Sequence, residues 1–176
     1  GVIGNFHNAQ WRQRVLDSGV CAVDTSTSQA ASALPRVGND DRRIGRMGAE
    51  HLLACGFEHF CFARLEDTWF ADRRMEGFAD AIERAGRELH VVDNIVIRQP
   101  SDRDAFDQWL AAAPRPIGIM APSDASGQHV IEAAQSIGYR VPADVAVIGV
   151  DNDWRHTAMT QPPMSSVETD LRQIGY

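Results

Sequence analysis

The sequence predicts an α/β fold in which parallel sheets are flanked by helices. Two observations carry the prediction. Apolar runs alternate with helical periods in a nearly unbroken βαβα order, the pattern of a parallel sheet whose crossovers are helices. The run from Val145 to Val150 is apolar throughout apart from Gly149, as a strand covered on both faces must be.

The elements follow in order. Val2 and Ile3 begin the first strand, Val20 to Val23 form the second and Phe60 to Ala63 the third. Ile95 to Ile97 form the fourth, Ile117 to Met120 the fifth and Val145 to Val150 the sixth. Four apolar sets fill the gaps at helical spacing: Ile44, Met47, Leu52 and Cys55; Met75, Phe78, Ala79 and Ile82; Phe106, Trp109, Leu110 and Ala113; Val130, Ile131, Ala134 and Ile137. Each predicts one core-facing stripe on a helix. Gly56, Gly86 and Gly138 stand just past such segments, where a left-handed closing residue is favoured. Ser101 with Asp104 reads as a capping pair. The stretch from Thr25 to Pro35 is rich in Ser, Thr and Ala and predicts a surface loop. There is no internal repeat of fixed period.

A chain of 176 residues with 44% hydrophobic composition can bury a core. Its formal charge of -7 and pI near 5.3 argue against this chain alone holding nucleic acid, since phosphate binding needs a clustered basic surface. Arg42, Arg43 and Arg46 are the densest basic group, but Asp40 and Asp41 sit beside them, which reads as a solvated helix start. Cys21, Cys55 and Cys61 are odd in number, and Cys21 and Cys61 fall in apolar runs where a thiol acts as a small hydrophobe. A reducing cytoplasm fits them. No apolar stretch approaches the roughly 18 residues of a membrane helix, and no signal core opens the chain; the mature form of an exported protein stays open.

Enzymatic motifs are missing. No Gly-x-Gly-x-x-Gly turn follows a strand, and there is no phosphate loop and no nucleophile elbow. All 17 basic residues are arginine, which removes lysine-based mechanisms from this chain. The six histidines show no metal-binding spacing. No catalytic residue, metal or cofactor is implied. A pair of carboxylates could in principle act as the general acid and base of a glycosidase, but paired acids serve binding equally well.

The most informative stretch joins a helix exit, the last buried strand and the polar cluster Asp151, Asn152 and Asp153. In an open parallel sheet, ligands bind beyond the carboxyl ends of the strands. Six segments then occur in a telling order: Gly1 to Phe6, Gly48 to Phe57, Arg73 to Phe78, Ser123 to Ala125, Val141 to Asp151 and Met164 to Val167. The series resembles the effector-binding domain of the lac and galactose repressors, which is similar to type 1 periplasmic sugar-binding proteins. The resemblance runs over nearly the whole chain. Within it, Gly149 to Asp153 with Ser165-Ser166-Val167 looks nearest to regulators of bacterial xylose operons, where lac-type repressors read Thr-Thr at the two Ser positions.

The resemblance implies a two-lobed fold, with 1–57 and 163–176 in a partial N-terminal lobe and 58–162 in the C-terminal lobe. It implies truncation at both ends, with a strand-helix-strand before Gly1 and a helix after Tyr176. It also implies a cytoplasmic transcriptional regulator that is not an enzyme, with a monosaccharide effector, xylose or another pentose first. DNA would be bound through a domain outside this chain, in a homodimer, with no membrane partner. The alternative is a periplasmic sugar-binding protein of a transport system.

Site residues follow by position. Arg74 matches the family arginine that reaches the sugar, where a planar guanidinium can serve two adjacent hydroxyls; an ordinary ion pair with Asp72 or Glu76 is the plainer reading. Asp124 matches the acid after the fifth strand, or serves only as a helix cap. Asp151 matches the acid after the sixth strand, or is only a turn residue. Asn5 and Asp24 end the first two strands at the crevice edge; xylose regulators carry an acid and a glycine there, which leaves the exact sugar open. Trp69 and Phe70 could stack on a sugar ring or be plain core. Phe6 and Trp154 follow as weaker candidates.

Overall fold

The structure, a computed structural model, describes residues 1–92 and 100–175. It contains β1 (Val2–Gly4), α1 (Ala9–Asp17), β2 (Ala22–Asp24), α2 (Asp41–Ala54), β3 (His59–Ala63), α3 (Trp69–Arg84) and β4 (Leu89–Val92). These are followed by α4 (Pro100–Ala112), β5 (Ile117–Met120), α5 (Asp124–Ser136), β6 (Val145–Val150), α6 (Trp154–Thr157), β7 (Ser165–Val167) and α7 (Leu171–Gly175). All strand pairs are parallel. They form a two-stranded sheet, β1-β2, and a five-stranded sheet in the order β4-β3-β5-β6-β7.

Two cores clothe the five-stranded sheet because its strands alternate their side chains between faces. Cys61, Ile117, Ile119 and Val145 meet Phe106 and Leu110 of α4 and Val130 and Ala134 of α5 on one face. Phe60, Phe62, Met120 and Ile148 meet Ile44 and Leu52 of α2 and Phe78 and Ile82 of α3 on the other. The parallel α/β class expected from the sequence is therefore observed. The three closing glycines also take positive φ, Gly56 at 85°, Gly86 at 69° and Gly138 at 85°.

Helices α2 and α3 approach so closely that backbone meets backbone. A Cβ on Gly45 would lie 1.9 Å from the carbonyl oxygen of Arg74, and one on Gly77 would lie 1.9 Å from that of Arg42. Only glycine fits at either place.

Several expectations need correction. The second strand is shifted to Ala22–Asp24, and both Val20 and Cys21 are exposed, so Cys21 is not a core residue. The core face of α2 is Asp41, Ile44, Gly45, Gly48, Ala49 and Leu52; Met47 and Cys55 point outward, because small residues, not large ones, face the crossing with α3. β4 was not expected at Leu89–Val92. The strand expected at Ile95 to Ile97 lies outside the described residues, as does the Ser101 side chain of the expected cap. Helix α2 and β7, which lie in the segments 1–57 and 163–176 expected in the partial N-terminal lobe, pack against the five-stranded sheet.

Candidate functional site

Sheet order decides where a site can form. From β3 the chain passes to β4 on one side, then crosses to β5 on the other. Loops leaving β3 and β5 therefore diverge, and a crevice opens at such a switch point. Arg74, Glu66 and Asp124 come from the segments that follow these two strands, and Asp151 from the end of β6 next to β5.

Arg74 is buried, at 4% exposure. Its Nε donates to Asp41 Oδ1 at 2.9 Å and its Nη1 donates to the Pro122 carbonyl, while its guanidinium carbon lies 4.8 Å from the centroid of the Phe70 ring. The expected surface pair with Asp72 or Glu76 is replaced. Asp72 is taken by Arg64 and Glu76 by Arg73.

Asp124 is also buried, in the first turn of α5, whose cap is Ser123. Its Oδ1 accepts from Ser166 Oγ at 2.6 Å and its Oδ2 from the Asp153 backbone N–H at 2.7 Å. This carboxylate ties α5 to β7 and to the loop after β6. Desolvation raises its pKa against the bond from Ser166. Gly149 makes room for it, since a Cβ there would lie 2.3 Å from Asp124 Oδ1.

Asp151 and Asn152 leave β6 with φ of 105° and 50°, a left-handed excursion that non-glycine residues adopt at a cost of order 1–3 kcal/mol each. Local bonds hold it: Asp151 N–H donates to the Val167 carbonyl at 2.9 Å and Asn152 N–H to Ser166 Oγ at 2.9 Å. Asp151 is solvent-accessible as a residue, yet the protein crowding its carboxyl desolvates it. That loss of hydration, with the nearby Asp124, Glu66 and Asp41 charges, pushes its pKa up to about 6, and Arg74 acts in the opposite sense. It also lines a hollow of about 610 Å³ with Asn152, Glu168, Thr169 and Asp170.

Glu66, which the sequence reading did not single out, completes the cluster. It accepts from the hydroxyls of Ser123 and Ser126 and so joins the β3 and β5 loops. Asp41 was read as part of a solvated helix start but is 4% exposed. No local motif distinguishes either acid; only the crossing of the chain brings them in.

The remaining candidates divide. Phe70 lies on the Arg74 guanidinium, and Trp69 lies between Arg36 and Arg73, at 5.9 and 5.8 Å from its ring centroid. Cations are thus already near both rings. Asp24 is fully buried, and its oxygens accept from Phe6 N–H, Ser26 N–H and Ser32 Oγ, all within the two-stranded body. Those bonds, led by Ser26 among the stabilising contacts, offset desolvation and lower its pKa. Asn5 is exposed beside a separate hollow of about 360 Å³ lined by Phe6, His7, Asn8 and Trp11. Phe6 is core, and Trp154 is 74% exposed. Among the described residues no group of His, Cys, Asp and Glu could hold a metal ion, and no helix is long and apolar enough to cross a membrane.

Parallel sheets with a polar cluster at a switch point define an α/β ligand-binding domain. The periplasmic binding protein-like domain matches residues 49–176, and the chain belongs to that family. Similar proteins include the xylose operon regulatory protein of Haemophilus influenzae, 26% identical over 149 residues, covering 81% of this chain and 38% of that protein. The protein of the same name in Escherichia coli K12 is 26% identical over 187 residues, covering 100% of this chain and 47% of that one. The chain spans about half the length of the curated relatives it matches. Among solved structures, the xylose-binding transcription activator xylR superposes with a TM-score of 0.83 at 23% identity, over 100% of this chain and 49% of that one. A transcriptional regulator CelR–cellobiose complex gives 0.75 at 24% identity, over 99% and 55%. These likenesses establish the fold.

Proposed function

We propose that this chain is the effector-binding domain of a bacterial transcriptional regulator of the lac and galactose repressor type, with a monosaccharide effector, a pentose such as xylose first. The observation that carries the reading is the convergence of Arg74, Asp124 and Asp151 at the strand ends beside Glu66 and Asp41. A buried guanidinium and several carboxylates suit a ligand that both donates and accepts hydrogen bonds. Each bond to a charged group contributes about 1.5–3 kcal/mol. The similarity to proteins named xylose operon regulators supports a regulator over a transport protein. Regulator relatives likewise weigh against an enzyme.

The cytoplasm is the expected compartment, the working form is a homodimer, and DNA is held by a domain outside this chain. Effector acts through unequal affinity for two arrangements of the lobes, since a ligand that binds both equally shifts nothing. Arg74, Asp124 and Asp151 are the principal ligand residues, with Phe70 and Trp69 as the wall and Asn5 facing from the other body, while Asp24, buried and bonded within that body, braces it. A thermal-shift screen of neutral pentoses and hexoses tests the reading. A rise in melting temperature with one pentose is expected; no shift with any sugar would overturn it.

A further inference from the structure

Asp41 is not one of the ligand residues proposed above, yet it is the acid that accepts directly from Arg74. Both side chains are almost wholly buried, at 2% and 4% exposure. Asp41 Oδ1 accepts from Arg74 Nε at 2.9 Å, whereas Asp41 Oδ2 is buried without a hydrogen-bond partner. Such an atom is costly, and each one in a native structure calls for an explanation. A buried ion pair is also weak evidence for stability, since apolar residues of the same volume often do as well. Stability alone is therefore a poor reason to keep this carboxylate here.

Orientation is a better one. Three contacts hold the Arg74 guanidinium: Asp41 at Nε, the Pro122 carbonyl at Nη1 and the Phe70 ring against its face. Pro122 and Phe70 are neutral, and of the three only Asp41 opposes the guanidinium charge. Asp41 opens α2, one turn before Gly45, where the backbones of α2 and α3 touch. The glycine crossing thus fixes the distance between Asp41 and Arg74. Asp41 also directly follows the segment 36–40 that leads from the two-stranded sheet into α2.

We infer that Asp41 is a positioning residue for effector binding, which sets the guanidinium plane of Arg74 so that its free donors meet the ligand. The inference rests on Arg74 being an effector ligand, as proposed above. The test is a calorimetric cycle with D-xylose and the other pentoses on the wild type, Asp41→Asn, Arg74→Lys and the double variant. Asparagine keeps an oxygen for Nε but loses the charge, and lysine keeps the charge but has no plane to orient. Asp41→Asn should weaken binding roughly tenfold or more, and should cost almost nothing further in the Arg74→Lys background. Equal losses in both backgrounds, or unchanged affinity in Asp41→Asn, would overturn the inference while leaving the effector reading intact. A wild type that binds no pentose would overturn both.

A second measurement needs no variant. In wild-type protein labelled with ¹⁵N-arginine, the Nε–H of Arg74 should exchange far more slowly than that of Arg46, whose side chain is 48% exposed. Equal rates would show that Asp41 does not hold it.

Discussion

The two sheets obey the same βα alternation but reach different degrees of enclosure. In the five-stranded body β5 and β6 are buried along their whole length and both faces carry a core. In the two-stranded body Val2 and Ile3 of β1 are 45% and 61% exposed, and the buried cluster centres on Phe6, Ala22 and Leu34. The difference bears on function. Arg74, Asp124 and Asp151 are fixed from several elements of the enclosed body, whereas Asn5 stands at the end of an exposed strand. The site proposed above would have one rigid wall, held by the packed cores of the enclosed body, and one resting on the exposed β1.

The largest expected effect is on the rigid wall. Arg74→Leu leaves Asp41 buried without its counter-charge, and breaking a buried pair costs about 3–5 kcal/mol. Urea denaturation should show that loss. A variant as stable as the wild type would mean that the pair contributes nothing to holding α2 against α3.

Next come two glycines that sharpen the contrast between the bodies. Gly45→Ala forces a methyl into the Arg74 backbone, and overpacking of this kind costs about 3 kcal/mol. Gly19→Ala, in the two-stranded body, has a φ of 65° but open space around it, so only the left-handed conformation costs, about 1–2 kcal/mol. Should the two variants lose the same stability by urea titration, the claim of unequal packing is wrong.

The smallest effect is electrostatic. Asp151 has its folded pKa raised from 3.8 to about 6, so the fold favours its neutral form. Its contribution is complete below pH 3.8 and is lost as pH rises through about 6. Relative to Asp151→Asn, the wild type should lose melting temperature across that window. Parallel melting curves would place Asp151 in ordinary solvent.

What was legible in the sequence follows from what is local. Buried strands announce themselves by apolar runs, and β3, β5 and β6 stand where Phe60, Ile117 and Val145 place them. The helix exits at Gly56, Gly86 and Gly138 are equally local. The end of the sixth strand pointed to Asp151, and the resemblance to repressor domains pointed to Arg74, Asp124 and Asp151. Asp41 and Glu66 were illegible because their partners lie 33 residues away for Asp41 and 57 and 60 residues away for Glu66. The small-residue face of α2 was missed for a related reason: Met47 and Cys55 fit a helical period, but the close approach of α3 selects glycine instead.

Hydrogen–deuterium exchange with and without a saturating pentose tests the central claim most directly. If the effector sits at the switch point, protection should concentrate in residues 64–74, 121–126 and 150–153, the loops and helix starts that carry Glu66, Arg74, Asp124 and Asp151. Protection confined to the β1-β2 face, or to the groove of Val37, Arg43, Met47, Gln173 and Ile174, would contradict it.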